Sequence, residues 1–357
     1  MKNIWFVLLL SILLPACSST LKLPYPEKTA SPVLPYEEFM IQSGIEYHGM
    51  GEYGKAIDIY TEVLRENPGN VLALYELAFS LSMNGDHNES LRYALKGMEY
   101  DTDILNMFYT LAGNNLDILG KPRHAITVYK KGLELFPGDF MLYYNLGITY
   151  LNTGKLEDAV EMIRKAISIN PYHASSHLAL AEDYRSKGMQ IPALLHFCKF
   201  LAIEPNTARS LNAVANVDNL VHWGVESSGE QNINIYLSAL LDDESPYGAL
   251  EMHMRFRRAA LHTDIYKDKS AVQIRVELLN SLFALIGERQ ERTYSDFTAK
   301  HLFPYFANLH ENEHSEAFIY YIHQSAGNNE IDEWLSENGN KVEAFLNWLV
   351  EYRWNFD

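Results

Sequence analysis

The chain has 357 residues, of which 47% are hydrophobic, 12% aromatic and 21% charged; this is ample apolar material for packed cores and excludes a disordered or low-complexity protein. Basic residues number 29 against 46 acidic ones, a formal charge of −17, and no basic run offers a phosphate footprint, which argues against nucleic acid as a partner. Two cysteines cannot build a disulfide framework.

The chain starts with one positive charge, Lys2, followed by an apolar stretch from Ile4 to Leu14, small residues and Cys17. That stretch is too short to span a bilayer permanently and suits a secretory signal over residues 1–16. Leu14-Pro15-Ala16-Cys17 resembles a bacterial lipobox, with Pro15 where the box carries a small residue. The resemblance implies cleavage before Cys17, acylation of that cysteine, and, with Ser18 next, an outer-membrane address facing the periplasm. An ordinary signal peptide with Cys17 uninvolved is the alternative. Residues 17–36 hold Pro24, Pro26, Pro32 and Pro35 with little apolar periodicity. They read as an extended linker of roughly 3 Å per residue, a spacer of up to about 50 Å.

A repeat follows. Gly51, Gly85, Gly120, Gly154 and Gly188 stand at intervals of 34, 35, 34 and 34. A small residue recurs five places later (Ala56, Ser90, Ala125, Ala159, Ala193), and prolines close the units at Pro68, Pro137, Pro171 and Pro205 with Thr102 in the second slot. One inserted residue near Leu105 accounts for the single longer interval. This period resembles the tetratricopeptide repeat, a pair of antiparallel helices. Residues 140–173 carry it best: Tyr143, Leu146, Gly147, Tyr150, Ala159, Ile163, Ala166 and Pro171. Small residues let the helices approach, large ones fill the gaps, and the glycine turns the chain. Five units result, 37–70, 71–104, 106–139, 140–173 and 174–207, covering 171 of the 357 residues.

The resemblance implies an all-α solenoid whose first helices line a groove. By helical spacing the inward residues include Ile41, Ile45 and His48, then Tyr75, Phe79 and Met83, then Met107 and Asn114, then Met141, Tyr144 and Ile148, and finally Glu182 and Arg185. Arg185 is the lone cation, and Glu76 and Leu111 stand where carboxylate-clamping relatives place donors, so a terminal carboxylate does not suit this groove. Its apolar, aromatic and methionine-rich character suits an amphipathic helix or hydrophobic peptide. Two occupants meet that description: an external protein, or the chain's own C-terminal part.

From 208 to 357 the glycine and proline slots are lost, His222 and Ala239 occupying the next ones, but helical patterns continue as an α-helical C-terminal region. Leu211, Val214, Val217, Leu220 and Val221 form a stripe suited to covering the end of the solenoid. Further helices are predicted over 232–241, 246–262, 270–287, 294–302, 315–325, 329–337 and 340–354, with no strand pattern. Arg255, Arg257 and Arg258 form the one basic cluster, read as a surface paired with acids such as Asp242, Asp243 and Glu244, or as an anion site. Phe345, Trp348, Leu349 and Tyr352 make an apolar stripe, core or partner-binding. Cys198, among Leu195, Phe197 and Phe200, reads as a small buried hydrophobe, and His173 and His177 as surface or cap residues.

His310-Glu311-Asn312-Glu313-His314 spells H-E-x-x-H, which on a helix would place two zinc ligands and a general base on one face. Glu313 intrudes where zinc proteases carry an uncharged residue, Ala317 and Tyr320 replace the extended motif's Gly and His, and no apolar residue occurs from His310 to Ser315. A polar connection fits better, so no metal, cofactor or catalytic residue is expected. The chain most resembles bacterial tetratricopeptide-repeat lipoproteins, whose family roles include adaptors for cell-wall hydrolases and assembly factors for pili and outer-membrane machines. The resemblance implies a non-enzymatic scaffold, anchored through Cys17, that binds a protein or peptide partner. A structural or self-assembling envelope component is the alternative, and a zinc-dependent hydrolase through His310, Glu311 and His314 a third.

Overall fold

A computed structural model describes residues 21–223, 225–227, 233–235, 245–262, 266–289 and 292–356. The Cys17 motif and Asp242 to Glu244 lie outside them. The chain divides into two compact units, one ending at Glu134 and one beginning at Leu135. Both are built of α-helices, so the all-α class holds; among the described residues the strands are four short pieces.

The N-terminal unit contains three helix pairs: α1 (Pro35–Gly49) with α2 (Tyr53–Glu66), α3 (Val71–Met83) with α4 (His87–Gly97), and α5 (Leu105–Ile118) with α6 (Pro122–Leu135). Second helices are amphipathic; α2 buries Ala56, Tyr60, Val63 and Leu64 on one face and exposes Lys55, Asp58 and Glu62 on the other. The five periodic glycines all take positive φ, from 70° at Gly120 to 90° at Gly85, in the turn between paired helices. A side chain there would strain the backbone, which is the physical origin of the period. Gly147 has a different role: a Cβ would lie 2.8 Å from Ile163 Cγ1, so the glycine permits close helix crossing. Asn70 caps α3 by accepting from Ala73 N at 3.0 Å, and Asp139 does the same for its helix at Met141 N, 2.8 Å.

The described part of the segment expected as a spacer is docked on the repeats. β1 (Lys28–Thr29) pairs in parallel with β2 (Tyr100–Asp101), Ser31 N donates to Gly69 O at 2.9 Å, and Asn67 Nδ2 donates to Pro32 O at 3.2 Å. Helix α1 already begins at Pro35. Its Glu37 is fully buried and accepts from Leu34 N, Asn67 Nδ2 and Asn70 Nδ2, each at 3.0 Å. Burial pulls the Glu37 pKa upward, but these hydrogen bonds outweigh it and hold the carboxylate below its ordinary value. The docking point lies just before Thr102, which fills the slot that other units close with proline; there Glu27 N and Lys28 N donate to Glu99 O at 3.0 and 2.8 Å.

The C-terminal unit holds two further pairs, α7 (Phe140–Asn152) with α8 (Leu156–Ile169) and α9 (Ala174–Ser186) with α10 (Gln190–Ile203). Helix α11 (Ala208–His222) follows. Its placement corrects the reading that the register stops at 208, because Arg209 Nη1 bonds Ser175 Oγ at 3.0 Å and Asn216 Nδ2 bonds Glu182 Oε1 at 3.4 Å, both across 34 residues. Thus α11 stands in the register of a sixth unit's first helix, with no second helix in that register among the described residues. Of the helix predicted over 232–241 only 233–235 are described, and there the chain is extended instead: β3 (Val225–Ser227) and β4 (Ile233–Ile235) pair antiparallel, Val225 opposite Ile235. β-branched residues at 233 and 235 favour extended chain.

The rest is α12 (Gly248–Ala259), α13 (Ala271–Gly287), α14 (Phe297–Glu311), α15 (Ser315–Ile322), α16 (Asn329–Glu337) and α17 (Gly339–Glu351). They gather on α10 and α11, with Phe197, Phe200, Phe283, Phe303, Phe306 and Phe318 in one core. Every residue of α10 from Ile191 to Ala202 is buried in consequence. The α17 stripe belongs to this core through Phe345 and Leu349.

Candidate functional site

In the N-terminal unit the first helices present an aromatic ladder. The His48 ring stacks on Phe79 at 4.6 Å, Phe79 lies 6.0 Å from Tyr75, and Tyr75 meets the edge of Phe108 at 5.6 Å. His48 Nδ1 hydrogen-bonds Ser80 Oγ at 2.8 Å, fixing the ring, and burial lowers its pKa. Tyr75 and Phe79 remain half-buried, Met83 is 50% exposed and Met107 36% exposed. Asn114 accepts from Tyr129 OH at 2.6 Å. Burial first, and Glu76 second, push the Tyr75 phenol up to about 12, so it stays a neutral donor. Ile41, read as inward, is core instead, and so is Leu111.

In the C-terminal unit, Met141, Tyr144 and Ile148 on α7 are half-buried, and Tyr144 packs edge-on to His173 at 4.6 Å. Arg185 is exposed but its Nε donates to Glu182 at 2.8 Å, so the cation expected to stand alone is neutralised. A second cation was missed: Arg209, on α11, reaches Ser175 and pairs with Glu204. The signal for it is the 34-residue step from Ser175.

These strips lie on paired helices in the register of a known family, whose profile, described as tetratricopeptide repeat, matches residues 59–92 and 128–161. The chain carries tetratricopeptide repeats. Repeats of this kind mediate protein–protein interaction. Among curated relatives, a repeat-containing protein of Methanocaldococcus jannaschii is 23% identical over 191 residues, 51% of this chain and 33% of that protein. The human protein O-mannosyl-transferase TMTC1 is 24% identical over 200 residues, 54% of this chain and 22% of that protein. The chain thus spans about a third or less of the curated relatives it matches. The crystal structure of a thermophilic tetratricopeptide-repeat protein from Thermus thermophilus has a TM-score of 0.44 and 23% identity over 52% of this chain and 99% of that one.

The fifth repeat is joined to the C-terminal helices by polar groups that sequence reasoning did not place. His177, expected at a surface or cap, is fully buried; its Nδ1 meets His196 Nδ1 at 3.0 Å and its Nε2 bonds Pro171 O at 3.1 Å. His196 Nε2 continues to Thr298 Oγ1 at 3.0 Å on α14. Burial holds the His177 pKa far below its ordinary value and that of His196 down to about 3, so both are neutral. Lys199 is 0% exposed, and its ammonium sits over the rings of Tyr305, Trp354 and Tyr172 at 4.3, 4.7 and 4.8 Å. Burial lowers its pKa to about 7; the ring faces favour the charged form and oppose that shift. Cys198 is buried beside it.

The H-E-x-x-H residues do not share a helix. His310 and Glu311 end α14, Glu313 turns at φ 60°, and His314 precedes α15. His310 Nδ1 bonds Asn280 Oδ1 at 3.1 Å, while the His314 ring lies against Trp348 at 5.6 Å. Among the described residues no group of three or more His, Cys, Asp or Glu is placed to hold a metal ion.

Proposed function

We propose that this protein is a non-enzymatic adaptor that captures a partner protein on the first helices of its repeats, and that an acylated Cys17 holds it in a bacterial envelope, at the outer membrane facing the periplasm. The observation that carries the binding role is the half-exposed strip of Tyr75, Phe79, Met83 and Met107. Rigid aromatic rings supply area at low entropy cost, and methionines adapt to the shape of a guest. Covering each such side chain contributes about 1.5–3 kcal/mol, enough for a helical peptide with three or four apolar anchors to bind. In the C-terminal unit the added helices gather on α10 and α11, which favours an external guest over the chain's own C-terminal part at Met141, Tyr144 and Ile148.

The anchor rests on the sequence motif. Cys17 lies ten residues before Glu27, whose N–H donates to Glu99 O, so the tether up to that point would reach at most about 30 Å rather than about 50 Å. A short tether keeps the repeats close to the lipid surface. The test has two arms. Tyr75→Ala with Phe79→Ala should reduce partner capture at least ten-fold while circular dichroism keeps its helical signal; unfolding would show that the strip is core. Cys17→Ala should move the protein from detergent-extracted membranes to the soluble fraction, and unchanged partitioning overturns the anchor.

A further inference from the structure

In the N-terminal unit α3 and α5 each pack one face on the pair before them, whereas no helix precedes α1 among the described residues. The repeat register shows what this leaves uncovered. Ala73 on α3 and Phe108 on α5 are fully buried, and a Cβ on Gly97 of the preceding pair would lie 2.1 Å from the Phe108 ring. Phe39 holds the same position on α1 and is 76% exposed. Further along that face Leu77 and Ala112, then Ser80 and Asn115, are buried, and α1 carries Ser43 and Glu46 there. The open end of a repeat array needs a polar outer face. The far end of this face has one; the near end does not.

Val33, Leu34 and Tyr36 join Phe39 at the near end. From Pro32 to Phe39 only Glu37 is buried, and these four large apolar side chains are each at least 43% exposed. Single exposed apolar residues are ordinary, but a contiguous group marks a contact surface.

The covering surface follows from position and charge, and this step rests on the acylation of Cys17 proposed above. A tether of at most about 30 Å holds the N-terminal unit near lipid at an effective concentration in about the millimolar range, so a weak contact suffices. No Lys or Arg occurs from Thr29 to Gly54, so the contact is apolar rather than electrostatic, and aromatic rings suit the head-group layer. A second copy stacked on the whole face would bury the exposed Glu46 carboxylate, whereas a lipid surface meeting the near end leaves it in water. We propose that Val33, Leu34, Tyr36 and Phe39 at the start of α1 are a second, reversible lipid contact that seats the N-terminal unit on the membrane surface.

The test uses the mature chain from Ser18 with an N-terminal hexahistidine tag on nickel-chelating phosphatidylcholine vesicles. The tag supplies the tether whether or not Cys17 is acylated, and the Cys17→Ala partitioning above reports the anchor separately. Glu38→Cys, beside the cluster, carries an environment-sensitive fluorophore, with Asp58→Cys on the outer face of α2 as control; Cys198 is buried and stays unlabelled. On vesicles the label at 38 should shift to the blue, and brominated lipid should quench it at least about two-fold more than the label at 58. Raised salt should leave this contrast intact. Tyr36→Ser with Phe39→Glu should remove the contrast while circular dichroism keeps its helical signal; Phe39→Ser alone, expected to halve it, serves if the double variant does not fold. Equal quenching at the two positions, a contrast that survives these substitutions, or one that salt abolishes overturns the proposal. A blue shift already present without vesicles, together with a dimer mass that Phe39→Glu reduces to a monomer, assigns the face to a second copy and overturns it as well.

Discussion

Helices α2 and α10 occupy the same place in their repeats, yet they live in different surroundings. Helix α2 buries four residues and turns Asp58 and Glu62 to water; α10 buries twelve, and Leu195 and Lys199 stand at the equivalent positions. The small residue and the aromatic that make the repeat, Ala56 and Tyr60 or Ala193 and Phe197, are buried in both. What differs is the outer face, which in α10 serves as a floor for the C-terminal helices. The repeat code thus fixes helix pairing, while the outer face decides whether a repeat stays open or becomes part of a larger core.

The sharpest way to break this comparison is to exchange the outer faces. Leu195→Asp should unfold the C-terminal unit, because it buries an unpaired carboxylate at a cost above about 4 kcal/mol, whereas Asp58→Leu should shift stability by less than about 0.5 kcal/mol. Separate urea midpoints for the two units, read by tryptophan emission and by exchange of repeat amides, report both. Equal effects would dissolve the distinction.

Acid should act next most strongly, and on the C-terminal unit. His177, His196 and His323 are held neutral by burial, with folded pKa values far below normal for the first and about 3 for the other two. Protons bind the unfolded histidines first, so stability is full above pH 6.5 and declines as pH falls toward 3. His196 and His323 each contribute roughly 2 kcal/mol of loss between pH 6.5 and 4.5, and His177 acts in the same direction. His196→Gln should flatten part of that slope in a denaturant titration.

Lys199 works in the opposite range. Its folded pKa of about 7 lies below the ordinary 10.5, so stability is lowest below pH 7 and rises as pH climbs from 7 to 10.5. Lys199→Met should abolish that alkaline rise; a rise that persists would place its origin elsewhere. The smallest effect concerns the N-terminal strand. Ser31→Pro removes the donor to Gly69 O and should cost under about 1 kcal/mol, but limited proteolysis between residues 25 and 34 should quicken.

The helix pairs were legible because their chemistry is local: a turn glycine at positive φ, a small residue at the crossing, and capping side chains at Asn70 and Asp139 before α3 and α7. Even α11 was readable as a stripe, though its membership in the register shows only when Arg209 and Asn216 are set 34 residues after Ser175 and Glu182. The covered face of α10 was also visible, as a helix with Lys199 its sole formal charge. What covers it was not, since contacts such as His196 with Thr298 join residues about a hundred apart and leave no periodic trace. The docked linker escaped for a related reason: its pairing with Tyr100 and Asp101 is made by backbone groups far apart in the chain, not by any side-chain pattern. Of the candidate strip, Tyr75, Phe79, Met83 and Met107 fell on the open face by spacing alone, whereas Ile41 shows how one helical step separates groove from core.

The most direct test places a photo-crosslinking phenylalanine analogue at Phe79 in the full chain, with the same analogue at Asp58 as control. The account predicts an intermolecular adduct with a partner protein from position 79, competed by an apolar helical peptide, and none from position 58. Adducts from position 79 that map only to this chain's own residues after 208 would contradict it.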